Sequence, residues 1–226
     1  MLAKLLPEIE KESERFKSNV DNIATVYLAS DAGARLLMSL ELPEGHELEM
    51  RLSNNFHDSA TTIRNPDDVL ALYRSGSYAR LIAYQAVVNL CSNFESWVDA
   101  ISQIVKAPTI REIKISSWRR KSPNTVIKTK ALCTASAIHQ ASDIESQLVS
   151  GESLCWIYNF FLVRNVIVHN GGVLTAQHRA RLVGKWQDLP DNIELEMVGN
   201  DIDDMVHFMK ANIAAFVYKF RERWVA

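Results

Sequence analysis

Apolar residues along the chain recur mainly at helical spacing. Leu90, Phe94, Trp97, Ile101 and Ile104 step by four, three, four and three, a continuous stripe on a helix surface. Tyr84, Val87, Cys91 and Val98 widen the stripe, so this helix, beginning near Ser77, is expected to be covered on more than one side and to end at Pro108. The clearest stripe comes last: Ile202, Val206, Met209, Ile213, Phe216, Phe220 and Trp224. Ile9, Phe16, Val20, Ile23 and Tyr27 predict a helix over 8–40. Small residues such as Ala131 and Ala135, with Ile138, predict another over about 124–148 that lets a neighbour approach closely. Residues 154–168 are apolar almost all round, and Asn170-Gly171-Gly172 stops them.

Period-two alternation occurs twice. Leu48, Met50 and Leu52 alternate with Glu47, Glu49 and Arg51, and Ile193, Leu195 and Met197 alternate with Glu194 and Glu196. These two stretches are expected to be strands that pair with each other. Leu42-Pro43-Glu44-Gly45 and Asn65-Pro66-Asp67-Asp68 are breaks, with Asn65 or Asp67 as a helix cap, and 173–189 is expected to hold a short helix. The pattern predicts a mainly α fold, an up-and-down helical bundle with a small β-hairpin-like element. Residues 1–75 are read as an N-terminal extension packed on the core, and 76–226 as the bundle.

Composition narrows the function classes. Apolar residues are 47 % and charged residues 23 % of the 226, enough for a packed core. A net charge of −2 excludes a protein that coats nucleic acid through bulk charge, so any RNA contact is local. Cys91, Cys133 and Cys155 are odd in number and form no zinc-ligand spacing, which predicts core thiols in a reducing, cytoplasmic setting and no metal site. The first residues carry Pro7 and four acids before any long apolar run, unlike a signal peptide, and no membrane span is expected.

Chemistry concentrates at the end of the most apolar helix. A charged group there costs several kcal/mol unless it is paired, yet Arg164 and Asn165 interrupt it and His169 and Asn170 close it. A structural reading pairs Arg164 with a carboxylate and lets His169 cap the last carbonyls. A functional reading gives them phosphate chemistry. Attack of a ribose 2′-hydroxyl on the adjacent phosphorus needs a base, an acid and a cation for the phosphoryl oxygens. Imidazole shuttles protons near neutral pH, and guanidinium grips phosphate in a fork. Asn165 lies four residues before His169, about 40° around the helix, where it can orient imidazole or substrate. Arg164 and His169 lie about 140° apart on an ideal helix, so they do not share a face.

Arg164-Asn165-Val166-Ile167-Val168-His169, followed by Asn170-Gly171-Gly172, resembles the signature of the HEPN superfamily, helical domains carrying R-x4-6-H with a polar residue after the arginine. The helix order over about 76–224 is also similar to that family's bundle, and residues 1–75 carry no part of the resemblance. The resemblance implies an RNA endonuclease that uses no metal or other cofactor, often in toxin–antitoxin or antiviral defence systems, with its site assembled across a homodimer. Arg164, Asn165 and His169 would be its catalytic residues, RNA its substrate, and an antitoxin or defence protein its further partner. Some members of the family are inactive and serve for dimerisation or binding alone. In one branch a tyrosine follows the histidine by two residues; Gly171 stands there in this chain.

Other residues admit RNA contact less directly. The stretch 111–130 carries seven cationic residues against the single acid Glu112, and Trp118 stands beside Arg119, Arg120 and Lys121. This reads either as a local RNA grip with Trp118 stacking a base, or as a solvated loop with Trp118 packed on the bundle. His178 and Arg179, like Asn170 close to the motif, are candidates for a substrate rail, though helix-surface charge explains the first two equally. His139 reads as a satisfied packing histidine, and His207 as paired with Asp203 or Asp204.

Overall fold

A computed structural model describes residues 2–39, 48–50, 62–64, 71–114, 129–144, 152–182, 188–197 and 199–225. The fold is mainly α. A 3-10 turn (Leu2–Leu5) leads into α1 (Leu6–Ser39), and α2 (Ser77–Val105), α3 (Lys130–Ala141), α4 (Glu152–Asn170), the short α5 (Ala176–Arg179) and α6 (Gly199–Trp224) follow. Two antiparallel strand pairs accompany them: β1 (Leu48–Met50) with β2 (Thr62–Arg64), and β3 (Val173–Leu174) with β4 (Ile193–Glu194). Both alternating stretches do form strands, but not with each other. Each closes onto a nearer segment that shows no alternation strong enough to mark it beforehand. The turn at 65–68 with its expected cap lies outside the described residues.

The core follows the stripes. Leu90, Phe94, Trp97 and Ile101 of α2 are buried, as are Ile202, Met209, Ile213, Phe216 and Phe220 of α6, while Ile104, Val206 and Trp224 are half-buried at the edges. Ile9, Phe16 and Val20 place α1 in the same hydrophobic cluster. Rings from four helices meet there: Phe94 lies 6.4 Å from Phe16 and 5.9 Å from Phe161 between centroids, and Trp97 lies 5.7 Å from Phe216. Such edge-on pairs add to the area they bury, and Trp97 Nε1 is satisfied by donating to Ser13 Oγ at 3.2 Å.

Helix ends explain two lengths. Lys106 caps α2 in the left-handed conformation at φ 59°, two residues before Pro108. The small-residue helix is shorter than its composition predicts. It starts only after Thr129, whose hydroxyl accepts the Leu132 N–H at 3.4 Å, and it stops at Ala141 because Asp143 turns left-handed at φ 52°. Nine successive α3 residues, Ala131 to His139, are buried. The last of them departs from expectation: His139 packs 5.1 Å from the Phe216 ring, but neither ring nitrogen has a hydrogen-bond partner among the described residues. Burial, reinforced by the charge of Lys219, holds its imidazole down at about 4, so it is neutral. His207 is exposed and meets Phe208 edge-on, without the ion pair expected to Asp203 or Asp204.

Candidate functional site

Helix α4 carries the site because its surroundings change along its length. Ile157 to Val163 are buried without interruption between α2 and α6. At Arg164 and Asn165 the helix begins to leave the core. Val168 is 51 % exposed, and His169 is exposed after it. The polar residues of the motif therefore fall where a buried helix surfaces, which lowers the cost of carrying them.

Arg164 is held on three sides. Its Nη2 donates to Glu95 Oε1 of α2 at 2.5 Å, its Nη1 donates to Asn165 Oδ1 at 3.3 Å, and the guanidinium carbon lies 5.7 Å from the centre of the Phe161 ring. The arginine side chain is 21 % exposed and that of Glu95 33 %, so the pair is only partly desolvated and keeps an open flank. Arg164 Nε is buried with no hydrogen-bond partner among the described residues. Cys91 sits beneath the pair. Its burial pushes the thiol up to about 12 despite the nearby arginine, so it is a neutral packing group and no nucleophile.

The expected carboxylate partner of Arg164 thus exists, and it is Glu95. The sequence held one signal for it: Glu95 is the first charged residue of α2 after Arg80, breaking a run of fourteen uncharged ones. The capping assigned to His169 is not seen, since its side chain makes no hydrogen bond among the described residues. The helix is closed instead by its successors. Asn170 Nδ2 donates to the Val173 carbonyl, and the Gly172 N–H reaches back to the Val166 carbonyl at 3.1 Å. Gly171 and Gly172 take φ of 59° and 86°, where side chains are strained. At Gly172 a Cβ would also collide with Tyr84 Oη, which donates to the Leu195 carbonyl at 2.8 Å. The Gly172 carbonyl in turn accepts the Leu195 N–H at 2.9 Å, so the turn after the motif is tied to Leu195, just past β4, and through it to Tyr84 of α2.

The structure therefore brings Arg164 and Asn165 together with Glu95 and leaves His169 apart at the helix end. His178 and Arg179 already have structural partners. His178 Nδ1 lies 3.0 Å from the hydroxyl of Thr175, which caps α5, and Arg179 reaches the Leu189 carbonyl and Asp191. Trp118, Arg119, Arg120 and Lys121 lie outside the described residues. Among those described, no group of three or more His, Cys, Asp or Glu is placed to hold a metal ion, and no helix is long and apolar enough to cross a membrane. The chain matches no family model, no curated protein and no solved structure.

Proposed function

We propose that this chain is an endoribonuclease of HEPN type, acting as a toxin or antiviral defence effector, in which two copies juxtapose the exposed ends of their α4 helices over RNA. The observation that carries the reading is the arrangement on α4: Arg164, oriented and partly open, followed by an exposed histidine whose side chain makes no hydrogen bond among the described residues. Arg164 grips the scissile phosphate, using guanidinium donors that Glu95 and Asn165 leave unused. A histidine takes the 2′-hydroxyl proton as that oxygen attacks phosphorus, and a second proton donor protonates the departing 5′-oxygen, leaving a 2′,3′-cyclic phosphate. One His169 cannot hold both roles in a single step. A symmetric pair supplies two histidines and two arginines in one cleft. Exposed Val168, beside His169, gives that pairing an apolar contact.

A second reading has its own observation. Glu95 already neutralises Arg164, which suits a catalytically inactive module that uses the pair to fix its packing and binds RNA, protein or a second copy. Bacterial growth separates the two. Expression of the wild-type chain is expected to arrest growth, and His169→Ala to relieve the arrest at equal protein level. Equal growth of both strains, with cellular RNA intact, favours the module.

A further inference from the structure

We propose that Glu95 is a positioning residue for the cleavage reaction, acting through Arg164 and not on RNA itself; this rests on the ribonuclease reading above. Arginine is long, and on the emerging turn of α4 its guanidinium has many rotamers open to it. Three contacts remove that freedom: the Glu95 carboxylate on α2, the Asn165 amide one residue along, and the Phe161 ring beneath. Only the first is charged, and it comes from another helix, 69 positions away in sequence. It therefore sets where the guanidinium stands relative to the bundle.

The donor inventory agrees with positioning. A guanidinium offers five N–H groups, and Glu95 and Asn165 engage one each, on Nη2 and Nη1. Nε is unpartnered among the described residues. Glu95 is thus a single-point tether at one corner of the fork and not a bidentate lock, so phosphate can be held by the remaining Nη protons while the tether persists. A carboxylate half-buried at 33 % also keeps the local charge near zero when RNA is absent, which lets α4 carry an arginine at this depth.

The test is a double-mutant cycle read in single-turnover cleavage of a short RNA, with thermal melts confirming that each variant is folded. Glu95→Ala is expected to cut the cleavage rate by about 10²-fold, the usual consequence of displacing a reacting group by about 1 Å, with little change in RNA affinity. Glu95→Gln, which keeps an acceptor oxygen, should fall between Ala and wild type. In the Arg164→Ala background the Glu95→Ala change should cost nothing further, because its effect runs through the arginine. Additive losses in the double variant, or wild-type rates in Glu95→Ala, overturn the positioning role while leaving the nuclease reading intact. No cleavage by the wild type, or full cleavage by both Arg164→Ala and His169→Ala, overturns the nuclease reading and this role with it.

Discussion

At the residue scale the decisive contrast is between two polar groups that the bundle treats differently. Arg164 is half-buried and paired with Glu95, whereas His139 is buried and has no hydrogen-bond partner among the described residues. His139 therefore makes stability depend on pH. Its folded value near 4 lies below the ordinary histidine value of 6.5, so the unfolded chain binds a proton first as pH falls. Stability is expected to be complete above about pH 6.5 and to be lost progressively towards pH 4, by up to about 3 kcal/mol for this one group. Denaturant unfolding across that window checks it: His139→Leu should flatten the slope, and an unchanged slope would show that other groups set it. The sequence marked His139 as a packing residue because small residues surround it, and the burial agrees. That it has no partner among the described residues was not legible, since satisfaction depends on what α6 brings opposite, and α6 brings Phe216. Glu95 stood out as the one charge after fourteen uncharged residues, but its pairing was illegible for the same reason: its partner lies 69 positions on.

At the scale of elements, α4 is apolar all round because α2 and α6 both cover it, and its polar end is the part that surfaces. Periodicity revealed the long helices, since one stripe per helix faces one shared core. It could not reveal strand partners. Two-residue strands such as β3 and β4 are joined by few bonds, and their pairing is fixed by the glycine turn after the motif and by Tyr84. Gly172→Ala tests that role. The left-handed backbone and the Tyr84 ring both oppose a methyl group, so the loss should exceed about 1 kcal/mol in denaturant unfolding. Hydrogen exchange at the Leu195 amide, which bonds to the Gly172 carbonyl, should quicken in the same variant. Unchanged stability and exchange would mean that the turn is not what closes the helix. The ring cluster is the other tie between elements. Phe216, 1 % exposed against Trp97, His139 and Phe220, is expected to cost about 3–5 kcal/mol when cut to alanine.

At the scale of the whole molecule, ion pairs run between distant parts of the chain, Lys210 to Asp21 and Arg221 to Glu10, and bracket α1 against α6 over the common core. Exposed pairs of this kind add little stability. Among the described residues His169 has no side-chain partner at the surface, and that is what makes a pair of chains necessary to the nuclease reading. Light scattering during turnover should accordingly show a dimer; a strict monomer that cleaves would remove the two-chain site. The most direct measurement is cleavage of a labelled RNA by purified protein in excess chelator, comparing wild type with His169→Ala. The His169 side chain is exposed and makes no hydrogen bond among the described residues, so the substitution should leave the fold and its melting temperature unchanged. The expected result is fragments ending in 2′,3′-cyclic phosphate from the wild type, and a rate lower by about 10²-fold or more in the variant. Intact RNA with the wild type, or equal cleavage by both proteins, would contradict it.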